Sequence, residues 1–219
     1  APPRCLAPSR PPPSATIGTM TVPRRVEAAR LLCSLDPPDW FVRHSCAVAD
    51  VATWLAARIA RRTSIDRSAV EAAALLHDAD KLLAEDDPAR RLAHGAGSAA
   101  WLTRQGYTEL APLVSAHPVT RLADPSSERW LARGPLEERV VAYADKRAGQ
   151  RLEPMDARFA SWDRRYPIGT AGWDARTRAA IRDRSIRLEA AVCAAAGTTP
   201  AQVGRLRWAR SAIARAMAA

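Results

Sequence analysis

The amino-acid sequence predicts an all-α protein, and two observations support this prediction. Apolar residues recur at intervals of three and four along most of the chain after residue 20, which is the period of an amphipathic helix. No segment of strand length alternates between apolar and polar residues, so a β-sheet is not expected. The 219 residues suit one globular domain with an added helical tail, and an apolar content of 47% excludes wholesale disorder.

Residues 1–20 differ from the rest of the chain because they are rich in Pro, Ser and Ala and show no helical period. We expect them to form a disordered, Pro-rich tail. They also lack the apolar centre of a secretory signal. An alternative is that Met20 is the true start and that the tail is an artefact of gene prediction.

Helices are predicted from residue 21 up to a break formed by Pro and Gly residues within 167–172. The clearest is 38–62, in which apolar residues recur every three or four positions: Val48, Val51, Leu55 and Ile59. Asp66 is a suitable N-cap for a helix over 66–77. The other helices are predicted at 23–34, 94–105, 109–117, 127–132, 136–150 and 154–164.

Two more helices are predicted beyond the break, at about 174–196 and 200–217. Gly197 ends the first, and Thr199 and Pro200 begin the second in the expected order of cap and then Pro. We expect residues 21–170 to form the main domain and residues 171–219 a helical extension packed on it. The arginines of the last helix could contact nucleic acid or a membrane surface, but solvent exposure is the simpler interpretation.

The composition is compatible with an anionic partner without requiring one. The formal net charge is +10, yet Lys81 and Lys146 are the only lysines among 33 cationic residues, so Arg replaces Lys almost everywhere. A nucleic-acid partner is therefore not favoured, and no apolar run approaches the ~20 residues that span a bilayer. The four cysteines form no CxxC pair, which is typical of reduced thiols in a cytoplasmic protein. The oligomeric state is not indicated.

Two histidines and two aspartates are placed to meet in the predicted core. His77 and Asp78 end a very apolar helix, where an unpaired charge would be costly and a divalent cation would satisfy both side chains. His44 and Asp145 lie on the apolar faces of their helices, so both are expected to point inward. These four side chains predict a site for a first-row divalent metal ion.

Two further histidines lie at predicted helix ends and would allow a second ion. His94 opens a helix beside Gly95 and Gly97, and His117 precedes Pro118. A set of nitrogen and oxygen ligands without a thiolate favours Fe or Mn and is also compatible with Co, Ni, Zn or Mg. The predicted cofactor is thus a pair of divalent metal ions.

The order His, His-Asp, His, His, Asp resembles the HD superfamily of metal-dependent phosphohydrolases. The resemblance covers about residues 40–166 and is carried by RHSCAVADVATWLA, AALLHDADKLL, HGAGSAAWLTRQGY, LVSAHPVTR and VVAYADKRAGQRL. The pattern is similar to the dinuclear subset that includes bacterial symmetrical diadenosine tetraphosphate hydrolases. The resemblance implies an all-α HD-domain helical bundle over 21–170, with two extra C-terminal helices.

The resemblance also implies the roles of the site residues. The first metal ion would be bound by His44, His77, Asp78 and Asp145, and the second by His94 and His117, with Asp78 bridging both ions. A water that bridges the ions would be the nucleophile. Lys81 matches the lysine of the HDxxK pattern, so Asp78 and Lys81 are the expected catalytic residues, with Lys81 on the scissile phosphate.

The implied substrate is a small nucleotide-like phosphoester or phosphoanhydride. The sequence departs from the diadenosine tetraphosphate hydrolase pattern after the His-Asp pair, after His117 and after Asp145. The resemblance therefore implies the metal ligands of this chain but not its substrate. Two other functions stay open: a diiron HD-type oxygenase, and a non-catalytic HD regulator that binds nucleotides or RNA. Lys81 argues against the oxygenase, and the complete ligand set argues against the regulator.

Three arginines are candidates for binding substrate phosphate, because a guanidinium fork suits phosphate oxygens: Arg121, Arg147 and Arg151. We expect Arg147 and Arg151 on the exposed side of the helix that carries Asp145, although solvated surface explains each arginine equally well. Lys146 is predicted to be a rim residue or a salt-bridge partner. Four aromatic residues near the motifs could stack on a base, with core packing the favoured alternative for each: Trp101, Trp130, Tyr143 and Tyr166.

Overall fold

The structure is a computed structural model, and it describes residues 22–149, 151–169 and 173–206. Within these ranges the protein is all-α and contains no β-strand, which confirms the predicted fold class. Its α-helices are α1 (Arg25–Cys33), α2 (Asp39–Ile59), α3 (Arg67–Leu76), α4 (Ala96–Arg104), α5 (Ala111–Ser115), α6 (Ser127–Arg133), α7 (Leu136–Arg147), α8 (Met155–Arg165), α9 (Ala175–Ala196) and α10 (Pro200–Val203). Short 3-10 helices lie at Ala79–Lys81, Pro88–Arg91, Thr108–Leu110 and Val119–Ala123.

The core is organised around α2, which packs against α3, α7 and α9. The apolar residues that predicted this helix are completely buried: Val48, Val51, Leu55 and Ile59. Most of α3 and the middle of α7 are buried as well. The apolar faces of α2, α3 and α7 therefore pack against one another in the core. This packing fixes the relative positions of the polar residues that these helices carry near their ends.

The end of α7 is earlier than the sequence predicts. The helix stops at Arg147 rather than near residue 150, because Ala148 adopts an extended conformation and forms an isolated antiparallel bridge with Leu152. Directly after the helix, the Gly149 carbonyl oxygen lies 3.4 Å from His44 Nδ1.

The C-terminal region differs from the prediction in one respect. The cap at Thr199 and Pro200 is present, but α10 ends at Val203 and is followed by a turn through Gly204 and Arg205. A helix that continues to 217 is therefore wrong for the residues directly after Val203, where Gly has a low helix propensity. The rest of that predicted helix and the predicted 1–20 tail lie outside the described residues.

The long helix α9 covers one side of the bundle. Its residues Ile181, Leu188 and Val192 are buried, and the helix contacts α2, α6, α7 and α8. Arg184 and Arg187 of α9 pair with Glu128 of α6 at 2.7 and 2.8 Å. Among the described residues, every helix is too short or too polar to span a lipid bilayer.

Candidate metal centre

His77 and Asp78 occupy the point at which α3 changes into the 3-10 helix Ala79–Lys81. The α-helix ends at Leu76 and a 3-10 helix follows from Ala79, and the consecutive side chains of His77 and Asp78 between them are both buried. His77 is fully buried, and its Nδ1–H donates a hydrogen bond to the Ala74 carbonyl at 2.9 Å. The Nε2 atom of His77 is therefore directed toward Asp78 and the residues that face it from α2 and α7.

His44 and Asp145 complete the first half of the cluster. The packing of α2 on α3 and α7 brings His44 Nε2 to 3.1 Å from His77 Nε2. Asp145 Oδ1 lies 3.5 Å from both nitrogen atoms. The three side chains predicted to surround one ion together with Asp78 thus converge on one point, and they form a group with metal-ligand spacing.

His94 and His117 form the second half. Their Nε2 atoms lie 3.0 Å apart. A positive φ of 83° at Gly95 lets the chain approach Pro118 so closely that a Cβ atom at Gly95 would lie 2.7 Å from Pro118 Cγ. Glycine at this position therefore permits the contact that places the two histidines together.

Asp78 lies between the two halves and directs one carboxylate oxygen at each. Its Oδ2 atom is 3.4 Å from His44 Nε2 and 3.5 Å from His77 Nε2. Its Oδ1 atom is 3.2 Å from His94 Nε2 and 3.3 Å from His117 Nε2, and it is buried without a well-formed hydrogen bond. Both oxygen atoms of a single buried carboxylate are thus surrounded by imidazole nitrogens.

The tautomers of the imidazoles fit a metal site. His77 Nδ1 and His117 Nδ1 donate to the carbonyls of Ala74 and Val114, so each Nε2 atom carries a lone pair. Within each pair the two Nε2 atoms lie only 3.1 and 3.0 Å apart, a separation that either a proton or a metal ion between them accounts for. Two nitrogens at ~2.0–2.1 Å from one ion are about 2.9 Å apart at a right angle. The residues present therefore fit a divalent cation in each half.

The electrostatics of the cluster also favour cations. Burial by itself raises the pKa of Asp78 and of Asp145, but the neighbouring imidazoles hold both pKa values well below the usual range. Burial lowers the pKa of His94, whereas the carboxylates of Asp78 and Asp80 raise it to about 9. The carboxylates are therefore ionised, and their negative field attracts positive charge to the histidine nitrogens.

Comparison with known proteins identifies the domain that holds this cluster. Residues 41–149 match the family model described as HD domain. The chain contains an HD domain. Neither a curated protein nor a solved structure matches the chain. Proteins with an HD domain are in general metal-dependent phosphohydrolases, and the described His/Asp clusters are suited to hold a metal ion.

Asp80 is a residue of the HD domain that the sequence analysis missed. Its Oδ2 atom accepts a hydrogen bond from the Gly95 backbone N–H at 2.7 Å and lies 3.1 Å from His94 Nδ1. Its own backbone N–H donates to Ser98 Oγ at 3.0 Å. Asp80 therefore orients the His94 ring so that Nε2 faces Asp78. The available signal was a third polar residue in HDADK, one position before Lys81.

The two lysines of the chain have different positions in the HD domain. Lys81 lines the cleft above the cluster, and its Nζ atom lies 2.5 Å from Asp78 Oδ2. Lys146 is fully buried and donates to the carbonyls of His117 at 2.8 Å and Ala142 at 3.2 Å. Burial lowers the pKa of Lys146 to about 8, although Asp145 opposes this effect. Lys146 is thus neither a rim residue nor a simple salt-bridge partner, since it ties α7 to the backbone of His117.

A cleft of about 830 Å³ opens above the HD-domain cluster. The cluster residues His44, Asp78, Asp80, His94 and Asp145 form its floor. The remaining side chains come from both inside and outside the residues that match the HD family: Trp40, Lys81, Arg90, Leu92, Pro118, Val119, Arg151, Glu153, Arg158, Ser161, Trp162, Arg165 and Tyr166.

The three arginines predicted to bind phosphate differ in their positions relative to the cleft. Arg151 lines the cleft with 82% of its side chain exposed. Arg147 was expected on the exposed side of α7, and this is wrong: it is buried, and it pairs with Glu189 at 2.8 Å because α9 covers that side. Arg121 does not line the cleft, since its guanidinium lies 5.0 Å above the centre of the Trp130 ring.

The aromatic residues near the motifs mostly belong to the core of the HD domain. Trp101, Trp130 and Tyr143 are buried. Tyr166 lines the cleft, but one face of its ring stacks on Trp173 at a centroid distance of 4.6 Å. The sequence analysis did not select Trp40, the aromatic residue of the cleft that lies one helical turn before His44.

Proposed function

We propose that the HD domain of this chain binds two divalent cations and hydrolyses a phosphoester or phosphoanhydride in a small nucleotide-like substrate. The observation that carries this proposal is the position of Asp78, whose two oxygen atoms lie next to two separate pairs of histidines. One ion would need only one such pair. A carboxylate between two imidazole pairs is a suitable bridging ligand for two ions.

The distances support a proposed ligand set for each ion. The first ion would be held by His44 Nε2, His77 Nε2, Asp145 Oδ1 and Asp78 Oδ2, which all lie within 3.5 Å of their neighbours in the set. The second would be held by His94 Nε2, His117 Nε2 and Asp78 Oδ1. A set of nitrogen and oxygen donors without a thiolate favours Fe or Mn. When bound, two such cations lower the pKa of a water and stabilise the attacking and leaving oxygens.

The side chains above the cluster would bind and orient the substrate. Lys81 has its ammonium group beside Asp78 Oδ2 and lines the cleft, so it is placed to contact an oxygen of the scissile phosphate as negative charge develops there. Asp80 and Lys146 would act by position, since they fix the His94 ring and the His117 backbone. Arg151 would contact phosphate oxygens at the mouth of the cleft.

A metal analysis joined to a substrate screen tests the proposed function. The protein, reconstituted with Mn²⁺ or anaerobically with Fe²⁺, is assayed with nucleotides, dinucleoside polyphosphates, cyclic nucleotides and a generic phosphodiester. We expect phosphate-ester hydrolysis that disappears in Asp78→Asn and persists in Asp86→Asn, which changes an exposed aspartate outside the cleft. Oxygen consumption without hydrolysis would instead support an oxygenase, and salt-dependent RNA binding without turnover a regulator.

A further inference from the structure

We propose that Arg147 is a positioning residue for the first ion, because it holds the connection between α7 and α8 so that the Gly149 carbonyl orients the imidazole of His44. The side chain of Arg147 is 3% exposed and does not line the cleft, so it acts on the site only through other residues. The proposal rests on the proposed function, since it takes His44 as a ligand of the first ion. It goes further by assigning part of the affinity for that ion to a residue outside the cleft.

His44 differs from His77 and His117 in what fixes its second ring nitrogen. A histidine that binds a metal usually donates its other ring N–H to a fixed acceptor, which orients the ring. His77 and His117 donate to carbonyls three residues earlier along the chain, which lie in α3 and α5. The acceptor beside His44 Nδ1 is instead the Gly149 carbonyl, at 3.4 Å and 105 residues further along the chain. The orientation of His44 therefore depends on what holds Gly149.

Arg147 holds the connection between α7 and α8 at two points. Its backbone carbonyl accepts a hydrogen bond from the Glu153 N–H at 2.9 Å. Its Nε–H donates to the Glu153 carbonyl at 2.8 Å. Gly149 lies between these two residues, and its own N–H donates to the Arg151 carbonyl at 2.9 Å. The backbone and the guanidinium of one residue therefore close the connection that carries the Gly149 carbonyl.

The other side of the guanidinium is anchored to α7, α9 and α10. Its Nη1 atom donates to the Tyr143 hydroxyl and to Glu189 Oε1, both at 2.8 Å, and lies 3.3 Å from the Pro200 carbonyl oxygen. A guanidinium can bond in all these directions at once because its five N–H donors form a rigid planar fork, whereas a lysine ammonium is a point charge. The fork of Arg147 therefore ties the connection at Glu153 to the helices behind it.

Two variants separate this positioning role from a general contribution to stability. Arg147→Lys is expected to keep a cation beside Glu189 and to lose the bond to the Glu153 carbonyl. Glu189→Gln is the matched control, since it removes the same ion pair and leaves the bond from Arg147 to Glu153 in place. Urea titration of both proteins shows that they are folded and how far each is destabilised.

The affinity for Mn²⁺ is the deciding measurement. It is made by calorimetry on the full chain carrying His117→Ala, in which the proposed ligand sets leave only the first ion. We expect Arg147→Lys to weaken Mn²⁺ binding by about tenfold and Glu189→Gln by less than about twofold, whatever their relative stabilities in urea.

A third variant tests the connection without changing Arg147. Leu152 forms the isolated bridge with Ala148, so Leu152→Gly loosens the backbone of the connection and leaves the ion pair with Glu189 intact. It is expected to weaken Mn²⁺ binding by about two- to fivefold in the same His117→Ala protein. This variant keeps the test decisive if Arg147→Lys does not fold.

The outcomes separate this inference from the proposed function. Equal weakening by Arg147→Lys and Glu189→Gln would overturn the inference, as would unchanged affinity in a folded Arg147→Lys protein. Unchanged affinity in Leu152→Gly would overturn it if Arg147→Lys does not fold. Selective weakening by Arg147→Lys in a chain whose wild type hydrolyses nothing would support the inference and overturn only the proposed hydrolase. A wild-type chain that binds no Mn²⁺ would overturn both.

Discussion

The two walls of the cleft differ in how their residues are specified. The first wall is the His/Asp cluster at the floor of the cleft, where α2, α7 and the segments that adjoin α3, α4 and α5 hold six His and Asp side chains. Helix packing and the Nδ1 hydrogen bonds of His77 and His117 fix their positions. The wall of α8 and the preceding turn holds arginines and aromatic residues whose outer ends are exposed. Metal binding requires side chains with fixed relative positions, as in the first wall. Ligand binding tolerates exposed side chains that can adjust, as in the second.

This difference implies that substitutions on the two walls have separable effects. A change in the first wall is expected to alter metal binding and turnover together, because its side chains would be the ligands of the ions. A change in the second wall alters ligand affinity and leaves the metal content intact. Some residues that adjoin the second wall, such as Arg147, instead stabilise the fold.

The largest expected effect is that of Asp78→Asn. The amide keeps the shape of the side chain but removes the negative charge that both histidine pairs share, so we expect loss of metal and a fall in kcat of about 1000-fold, or about 4 kcal/mol. Steady-state kinetics and elemental analysis of the same preparation measure both quantities. Asp86→Asn serves as the control, and a metal-loaded, active Asp78→Asn protein would contradict the assigned position of the ions.

The second prediction compares Arg147 with Arg151. Arg147→Met removes the cation beside the partly buried Glu189 and leaves it only the hydrogen bond from the Tyr143 hydroxyl, so we expect the free energy of unfolding to fall by about 3 kcal/mol. Arg151→Met removes an exposed side chain and is expected to change it by less than about 0.5 kcal/mol. Urea titrations of both variants measure the difference, and equal stabilities would show that Arg147 does not support the packing of α9 on α7.

The third prediction concerns Asp80, which contacts His94 rather than an ion in the proposed site. Asp80→Asn weakens the hold on the His94 ring, so affinity for the second ion is expected to fall by about 10–100-fold while the first ion stays bound. A metal titration that resolves two binding events measures this change. Loss of both ions, or of neither, would show that Asp80 has a different role.

The smallest expected effect is the pH dependence of the contact between α6 and α9. Hydrogen bonds from Arg187 and Arg184 lower the pKa of Glu128 from 4.5 to about 2. Since the folded-state pKa is depressed, this contribution to stability is present above pH 4.5 and is lost as the pH falls toward 2. The difference in urea midpoint between the wild-type protein and Glu128→Gln, both metal-free, should shrink between pH 6 and pH 3. A constant difference would contradict the ion pair.

The sequence allowed the first wall to be predicted because its residues carry their own signals. His77 and Asp78 are adjacent polar residues at the end of an apolar helix, and His44 lies in phase with apolar positions of α2. These signals predicted which residues meet, and the Asp and His side chains do converge in the structure. Asp80 was missed because its role depends on His94 and Gly95, which lie 14 and 15 residues further along the chain.

The second wall could not be predicted in the same way. Arginine is so frequent in this chain that its spacing carries no information, and helical periodicity cannot say that α9 covers the side of α7 on which Arg147 lies. Trp40 lies in the same helix as His44, yet only the folded chain shows that its ring stays half exposed at the cleft. Whether Arg147 and Trp40 are buried or exposed depends on the packing of distant elements and not on local helix propensity.

The number of metal ions per chain tests the central claim most directly. Protein is reconstituted with excess Mn²⁺, desalted and analysed for metal and protein content, together with His117→Ala. The arrangement of Asp78 between two histidine pairs predicts two ions per chain in the wild-type protein and one in His117→Ala. One ion per chain in both proteins would contradict it.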